Sequence, residues 1–168
     1  MDHQILLELY NRYHRELYLY LYSLCQSHPL AEDLLQETFL KAILSLGDHH
    51  PNMRAWLYLV ARNLCLNSLK KAGRAVSMEQ AEPPPDFSSQ DDPLNRFIQD
   101  ERKKALFEAM KHLEPRKREI LIMQYWSQMT QKEIAAVLQI TPENVRVLAF
   151  RAKKELKHSM EVNGYDLS

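Results

Sequence analysis

The sequence predicts an all-α fold of two small helical domains. Three observations predict it. Apolar residues recur at spacings of three and four along most of the chain, no stretch of useful length alternates apolar and polar residues as a strand would, and one proline- and serine-rich stretch divides the apolar patterns in two.

The first helical pattern is Leu6, Tyr10, Tyr13, Leu17, Leu21 and Leu24, broken by His28 and Pro29. The second is Ala31, Leu34, Leu35, Thr38, Phe39, Ala42 and Leu46. Glu32 and Asp33 are expected in its first turn, where the helix dipole favours anions. Gly47 to Pro51 reads as a turn, and a third helix from about Asn52 to Lys71 carries Met53, Leu57, Val60, Ala61 and Leu64, with Gly73 as its C-cap. Residues 73–92 contain three consecutive prolines and Ser88-Ser89 without apolar periodicity, so they read as a linker between a 1–72 domain and a 93–168 domain. Asp92 and Pro93 then resemble the start of a fourth helix bearing Leu94, Ile98, Ala105, Leu106, Ala109 and Leu113. Pro115 opens a fifth helix that ends near Trp126.

The sharpest local signal follows. Thr130-Gln-Lys-Glu133 is a capping box ahead of Ile134, Ala135 and Leu138, and after Gln139-Ile140 a second helix opens on Thr141 and Pro142. Two short helices joined by such a turn are a helix-turn-helix. The second helix runs to about Met160 and should bury Val145, Leu148, Ala149, Ala152 and Leu156. Its other faces carry Glu143, Asn144, Arg146, Val147, Phe150, Arg151, Lys153, Lys154 and Lys157. A helix of this width fits the DNA major groove, with N-terminal residues at base edges and cations at phosphates.

Composition excludes several other classes. With 45% hydrophobic and 26% charged residues, the 168-residue chain is ordinary globular material, and no run approaches the ~18 apolar residues of a membrane span. The charged N-terminus is not a signal peptide. Three glycines and no G-x-G-x-x-G or Walker motif argue against phosphate loops. Cys25 and Cys65 stand far apart without a C-x-x-C, so neither a disulfide scaffold nor a four-cysteine zinc site is expected; both should be small buried hydrophobes in a reduced cytosolic protein. His49-His50 reads as an exposed turn, so no metal is expected, and no cofactor either. No nucleophile–base pair or convergent histidine supports an enzyme.

Net charge is zero, yet unevenly spread: −4 over residues 1–48, +5 over 49–78, −5 over 79–92 and +4 over 93–168. Basic segments attract polyanions. The 49–78 segment combines Arg54, Arg62, Lys70 and Lys71 with Trp56, Tyr58, Asn63 and Asn67, a mixture suited to unpaired or melting DNA, since aromatics stack bases and cations track the backbone. Trp56 and Tyr58 equally suit a helical core.

These residues resemble a known family. Ala31-Glu-Asp-Leu-Leu-Gln-Glu-Thr-Phe-Leu-Lys-Ala-Ile43 is similar to region 2.2 of bacterial sigma factors of the extracytoplasmic-function type, and Ala55-Trp-Leu-Tyr-Leu-Val-Ala-Arg-Asn-Leu64 with Asn67 to Lys71 resembles regions 2.3 and 2.4. Leu113-Glu-Pro-Arg-Lys-Arg-Glu-Ile-Leu121, Thr130 to Leu138, and Val145 to Ala152 resemble region 4. The resemblance implies a two-domain RNA polymerase sigma factor in the cytoplasm. Its first domain would bind the β′ clamp helices of core polymerase through Asp33, Gln36 and Glu37, and the −10 element through Arg54, Trp56, Arg62, Asn63, Asn67, Lys70 and Lys71. Its second would bind the β flap and the −35 element, the latter through Thr130, Lys132, Glu143, Asn144, Arg146, Val147, Phe150, Arg151 and Lys154. The linker would thread the polymerase cleft, and an anti-sigma factor would be a further partner, with no membrane insertion of the chain itself. Capture of a flipped base would open the strands without ATP, binding energy offsetting an unstacking cost of roughly a few kcal/mol per base. Gln139 replaces the usual turn glycine, Val147 stands where a small polar residue is common, and Leu113-Glu-Pro replaces a commoner Leu-Pro. The alternative is a stand-alone helix-turn-helix regulator; it would have no need of the 31–43 and 56–71 motifs.

Overall fold

The computed structural model describes residues 3–45, 52–76 and 98–162, and among these every regular element is an α-helix. The chain divides into two compact units, Met1–Ser88 and Ser89–Ser168.

In the first unit, α1 (His3–Cys25), α2 (His28–Ser45) and α3 (Met53–Val76) pack against one another pairwise. The apolar stripe of α1 is widened at its C-terminal half: Leu17, Tyr18, Leu19, Tyr20 and Leu21 are all buried. A helix buried all round for a turn and more is one with neighbours on both sides, here α2 and α3. At its N-terminal end the stripe is shallower, and Tyr10 remains exposed while its ring meets Phe39 edge-on at 5.1 Å. The chain leaves α1 through Gln26, whose φ of 54° is left-handed, with its N–H donating to the Tyr22 carbonyl. The Ser27 hydroxyl then accepts from the Leu30 N–H and starts α2.

That start corrects the expected position of the acidic pair. Helix α2 begins at His28, so Glu32 and Asp33 lie in its second turn rather than its first. Glu32 is instead paired with the His28 ring at 3.2 Å. The α2 stripe of Ala31, Leu34, Leu35, Thr38, Phe39 and Ala42 is buried as expected, and the Thr38 hydroxyl donates to the Leu34 carbonyl. Leu46 and the 47–51 turn, with His49 and His50, lie outside the described residues.

Helix α3 opens with the Asn52 side-chain oxygen accepting from the Ala55 N–H. It buries Leu57, Tyr58, Ala61 and Cys65. Gly73 does not cap it: the helix continues to Val76, because a glycine in a helix costs only about 1 kcal/mol and nothing in Lys70–Ala75 breaks the repeat. Residues 77–97, including Asp92, Pro93 and Leu94, lie outside the described residues.

The second unit contains α4 (Glu101–Met110), α5 (Pro115–Tyr125), α6 (Gln131–Leu138) and α7 (Pro142–Val162). The fourth helix does not run unbroken from Pro93. Residues 98–100 are irregular, Asp100 is the N-cap, and its carboxylate accepts from the Arg102 N–H at 2.9 Å. Ile98 is buried ahead of the helix rather than within it. Helices α4, α5 and α6 each pack on α7. Helix α5 buries a continuous run, Arg118 to Met123, and Phe107 of α4 meets Trp126 edge-on at 5.5 Å. The Arg118 Nη1 group donates to the Lys111 carbonyl at 3.2 Å, satisfying a backbone acceptor at the C-terminus of α4. Burial lowers the Arg118 pKa and the neighbouring Glu119 carboxylate opposes that shift.

Every left-handed non-glycine residue among those described is a glutamine: Gln26, Gln128 and Gln139. A side chain in that conformation costs roughly 1–2 kcal/mol, against a glycine entropy cost of about half that. Gln139→Gly is therefore expected to stabilise the chain by about 0.5–1 kcal/mol, read as a rise in the urea midpoint.

Candidate nucleic-acid interface

The helix-turn-helix is assembled from local hydrogen bonds. Thr130 Oγ1 accepts from the Glu133 N–H and Glu133 Oε1 accepts from the Thr130 N–H, both at 3.1 Å, so the expected capping box is formed. Helix α6 ends on Gln139 at φ 57°, ψ 44°, and the Ile140 N–H donates to the Ala135 carbonyl. The turn keeps the glycine-type conformation with glutamine in place. Thr141 Oγ1 accepts from the Asn144 N–H at 3.1 Å, and Pro142 is the first residue of α7. Losing the Thr130 cap should cost about 1–2 kcal/mol, so Thr130→Ala is expected to lower the urea midpoint while a Thr130→Ser variant holds it.

Helix α7 is anchored by Val145, Ala149, Ala152, Leu156 and Met160. Leu148, expected in the buried stripe, is only half-buried, and Met160 extends the stripe instead. Away from this anchor, Glu143, Asn144, Arg146, Phe150, Arg151 and Lys154 are exposed, and Val147 is half-buried beside them. Phe150 is 63% exposed, with the Lys154 ammonium 5.4 Å from its ring centre. Neighbouring Lys153 turns instead toward the Tyr125 ring at 5.9 Å. Arg146 forks onto Glu143, donating from Nε to Oε2 at 3.3 Å and from Nη2 to Oε1. The hydrogen bonds and charge of this pair lower the Glu143 pKa and raise that of Arg146. The fork occupies the Nε–Nη2 edge of the guanidinium and leaves Nη1 outside the pair. Thr130 and Lys132 are exposed at the start of α6.

In the first unit, α3 presents Asn63, Asn67, Lys70 and Lys71 to solvent, and their spacings of three and four set them along one side of the helix. Arg54, Trp56 and Arg62 are half-buried and engaged with neighbours. Tyr58 is not available to a base: it is fully buried, its hydroxyl donates to Glu16 Oε1 at 3.2 Å, and its ring lies 4.9 Å from that of Tyr20. Of the two readings of that aromatic, the core one holds.

On α2, Asp33, Gln36 and Glu37 are exposed. The same face continues into Leu40, Ile43 and Leu44, of which Leu44 is 76% exposed. The sequence reading missed these three. Their signal was available, since Leu40 and Leu44 extend the 33–37 side by whole turns and fall outside the buried stripe. Among the described residues no three histidine, cysteine or acidic side chains cluster as a metal site, and no helix is long and apolar enough to cross a membrane.

An exposed cationic recognition helix on a helix-turn-helix, in one chain with a three-helix unit whose α3 shows amides and lysines, defines a two-unit DNA-binding protein. The sigma-70 region 2 family model matches residues 9–75 and the sigma-70 region 4 model matches residues 103–156. The chain is 31% identical to the RNA polymerase sigma factor CarQ of Myxococcus xanthus, over 82% of this chain and 79% of that one. It is 29% identical to the ECF RNA polymerase sigma factor SigM of Bacillus subtilis, over 89% and 91%. Its fold matches the sigma factor RpoE of Bartonella quintana, solved in complex with the anti-sigma factor NepR, at a TM-score of 0.71 and 24% identity, covering 92% of this chain and 96% of that one. The chain belongs to the sigma-70 family and is an RNA polymerase sigma factor of the extracytoplasmic-function type.

Proposed function

We propose that this chain recruits core RNA polymerase to promoters bearing paired −35 and −10 elements and opens the duplex without catalysing a reaction itself. The observation that carries this is the α7 face: Arg146, Phe150, Arg151 and Lys154 stand exposed on a helix whose opposite side is anchored in the core. Glu143 and Asn144 at the helix N-terminus meet base edges, and Thr130 and Lys132 of α6 meet the backbone. Phe150 supplies an apolar surface for a thymine methyl or a sugar.

The −10 element is held by Asn63, Asn67, Lys70 and Lys71, with Arg54, Trp56 and Arg62 as further contacts. Strand opening follows from differential binding, because contacts made only to the unpaired strand offset the cost of unstacking. Asp33, Gln36 and Glu37 form the polar part of the β′ contact, and Leu40, Ile43 and Leu44 the apolar part. The second domain also meets the β flap, residues 73–92 connect the two domains in the polymerase cleft, and the protein works in the cytoplasm. An anti-sigma protein covers one of these faces in the inactive state; the neighbour RpoE was solved in complex with the anti-sigma factor NepR, and a second neighbour, CnrH, matched at a TM-score of 0.69 and 22% identity, in complex with the cytosolic domain of CnrY.

The test is to mix the protein with core polymerase and transcribe a genomic fragment library. Co-elution with discrete new start sites is expected, and the start sites yield both promoter elements at once. The double variant Asp33→Ala, Gln36→Ala should co-elute less while keeping duplex binding. Duplex binding without co-elution would establish the stand-alone regulator instead.

A further inference from the structure

The two cysteines are 40 positions apart in sequence, yet the fold brings them together. Cys25 is the last residue of α1, Cys65 lies in the middle of α3, and these helices pack directly. The two thiols are hydrogen-bond partners, and the Cys25 thiol also reaches the Ser27 carbonyl at 3.4 Å. Sequence spacing makes both small buried hydrophobes. That holds for Cys65, which is fully buried, but not for Cys25, which is half-exposed at a helix end.

The geometry points to a thiol pair in the first unit that hydroperoxides oxidise to an intramolecular Cys25–Cys65 disulfide. Each cysteine has a distinct place in that chemistry. A peroxide reaches only the accessible sulfur, and the thiolate is the nucleophile. The Cys65 hydrogen bond lowers the Cys25 pKa against the opposing effect of burial, which favours thiolate formation at the accessible sulfur. Cys25 Sγ attacks one oxygen of the hydroperoxide, the O–O bond breaks, and the leaving alkoxide or hydroxide takes up the thiol proton. Cys25 is then a sulfenic acid and the peroxide has become an alcohol or water. Cys65 Sγ next attacks Cys25 Sγ, the S–O bond breaks, and hydroxide leaves as water with the Cys65 proton. Two thiols have lost two electrons and the peroxide has gained them. The resolving thiol is already in contact, so the second step outpaces further oxidation of Cys25.

The disulfide would tie the end of α1 to the helix that carries Asn63 and Asn67. The thiol chemistry does not depend on polymerase or DNA, so its test stands apart from the test of the proposed function.

Reduced full-length protein is treated with a slight excess of hydrogen peroxide at neutral pH, natively and in concentrated urea, and followed by intact mass and non-reducing peptide mapping. The native protein should lose the mass of two hydrogens and link the Cys25 and Cys65 peptides within one chain, with a yield of internal link over overoxidised Cys25 and covalent dimer at least about tenfold higher than in urea, since the fold supplies the proximity. A thiol reductant should restore the mass. In Cys65→Ser the Cys25 sulfenic acid should persist and react with a dione probe; in Cys25→Ser the buried Cys65 should stay a thiol. An equal partition to the internal link in urea, covalent dimers in its place, or stepwise overoxidation of Cys25 beside an intact Cys65 thiol would each overturn the inference.

Discussion

Arg146→Ala lowers affinity for the −35 duplex by roughly ten- to hundredfold, the largest effect expected of any single exposed residue in this chain. A bidentate arginine–guanine contact is worth about 1–3 kcal/mol of discrimination. Arg146 suits such a contact: Glu143 accepts from Nε and Nη2, which holds the plane of the guanidinium and leaves Nη1 and the second Nη2 hydrogen for a base. The loss should fall on one base pair, so that Arg146→Ala binds all sequences at that position alike. Arg151→Ala should behave differently, weakening binding to every sequence and reducing the salt slope by about one. Fluorescence anisotropy with a set of single-substituted duplexes at several salt concentrations separates the two. If both variants weaken all sequences equally, Arg146 is a phosphate contact.

The same fork predicts a pH dependence. Arg146 depresses the Glu143 pKa, so the pairing favours the folded helix terminus above the unfolded carboxylate pKa and is lost as pH falls through the folded one. Both side chains are fully exposed, so the consequence lies in recognition rather than stability. Discrimination at the Arg146 base pair should therefore decline at acid pH, and Glu143→Gln should show that decline at neutral pH already.

Much of this was legible in the sequence because it is local. The capping box at Thr130 and the N-cap at Thr141 are set by residues three apart and form as expected, and the α7 anchor, set by spacings of three and four, does so apart from Leu148, whose place Met160 takes. What the sequence concealed was set by neighbours distant along the chain. Gly73 looked like a helix end, but a glycine ends a helix only where the chain must turn, and here α3 continues to Val76. Asp92 and Pro93 lie outside the described residues, and the helix that carries Ala105 and Ala109 opens on Asp100 after an irregular stretch. Helix α5 showed no stripe because Arg118 to Met123 are buried on all sides, which leaves no polar face to define a period. The Cys25–Cys65 contact was invisible for the same reason: it depends on how α1 and α3 pack, which no spacing encodes.

Tyr58→Ala is the second large effect, and it falls on stability instead of DNA. Residues 54–71 carry the amides and cations of the proposed single-strand surface, and an aromatic among them invites assignment to base stacking. Burial decides against it. The Tyr58 ring is enclosed with Tyr20, Leu57 and Ala61, and truncating a buried aromatic to alanine costs about 3–5 kcal/mol. Typical domains are stable by only about 5–15 kcal/mol, so urea unfolding should show the first unit close to its threshold. Tyr58→Phe keeps the ring and loses only the hydrogen bond to Glu16 Oε1, worth about 1 kcal/mol because the half-buried carboxylate can recover water. The phenylalanine variant should therefore open promoters as the native protein does. A stacking role would produce a different pattern: an alanine variant with native urea stability that still fails to bind single-stranded −10 DNA. Lys70→Ala with Lys71→Ala supplies the converse control, since both side chains are exposed and their loss should weaken strand binding with the unfolding curve unchanged. One face of α3 thus holds the unit together and another carries the proposed strand contact, and the two variants should separate stability from recognition along a single helix.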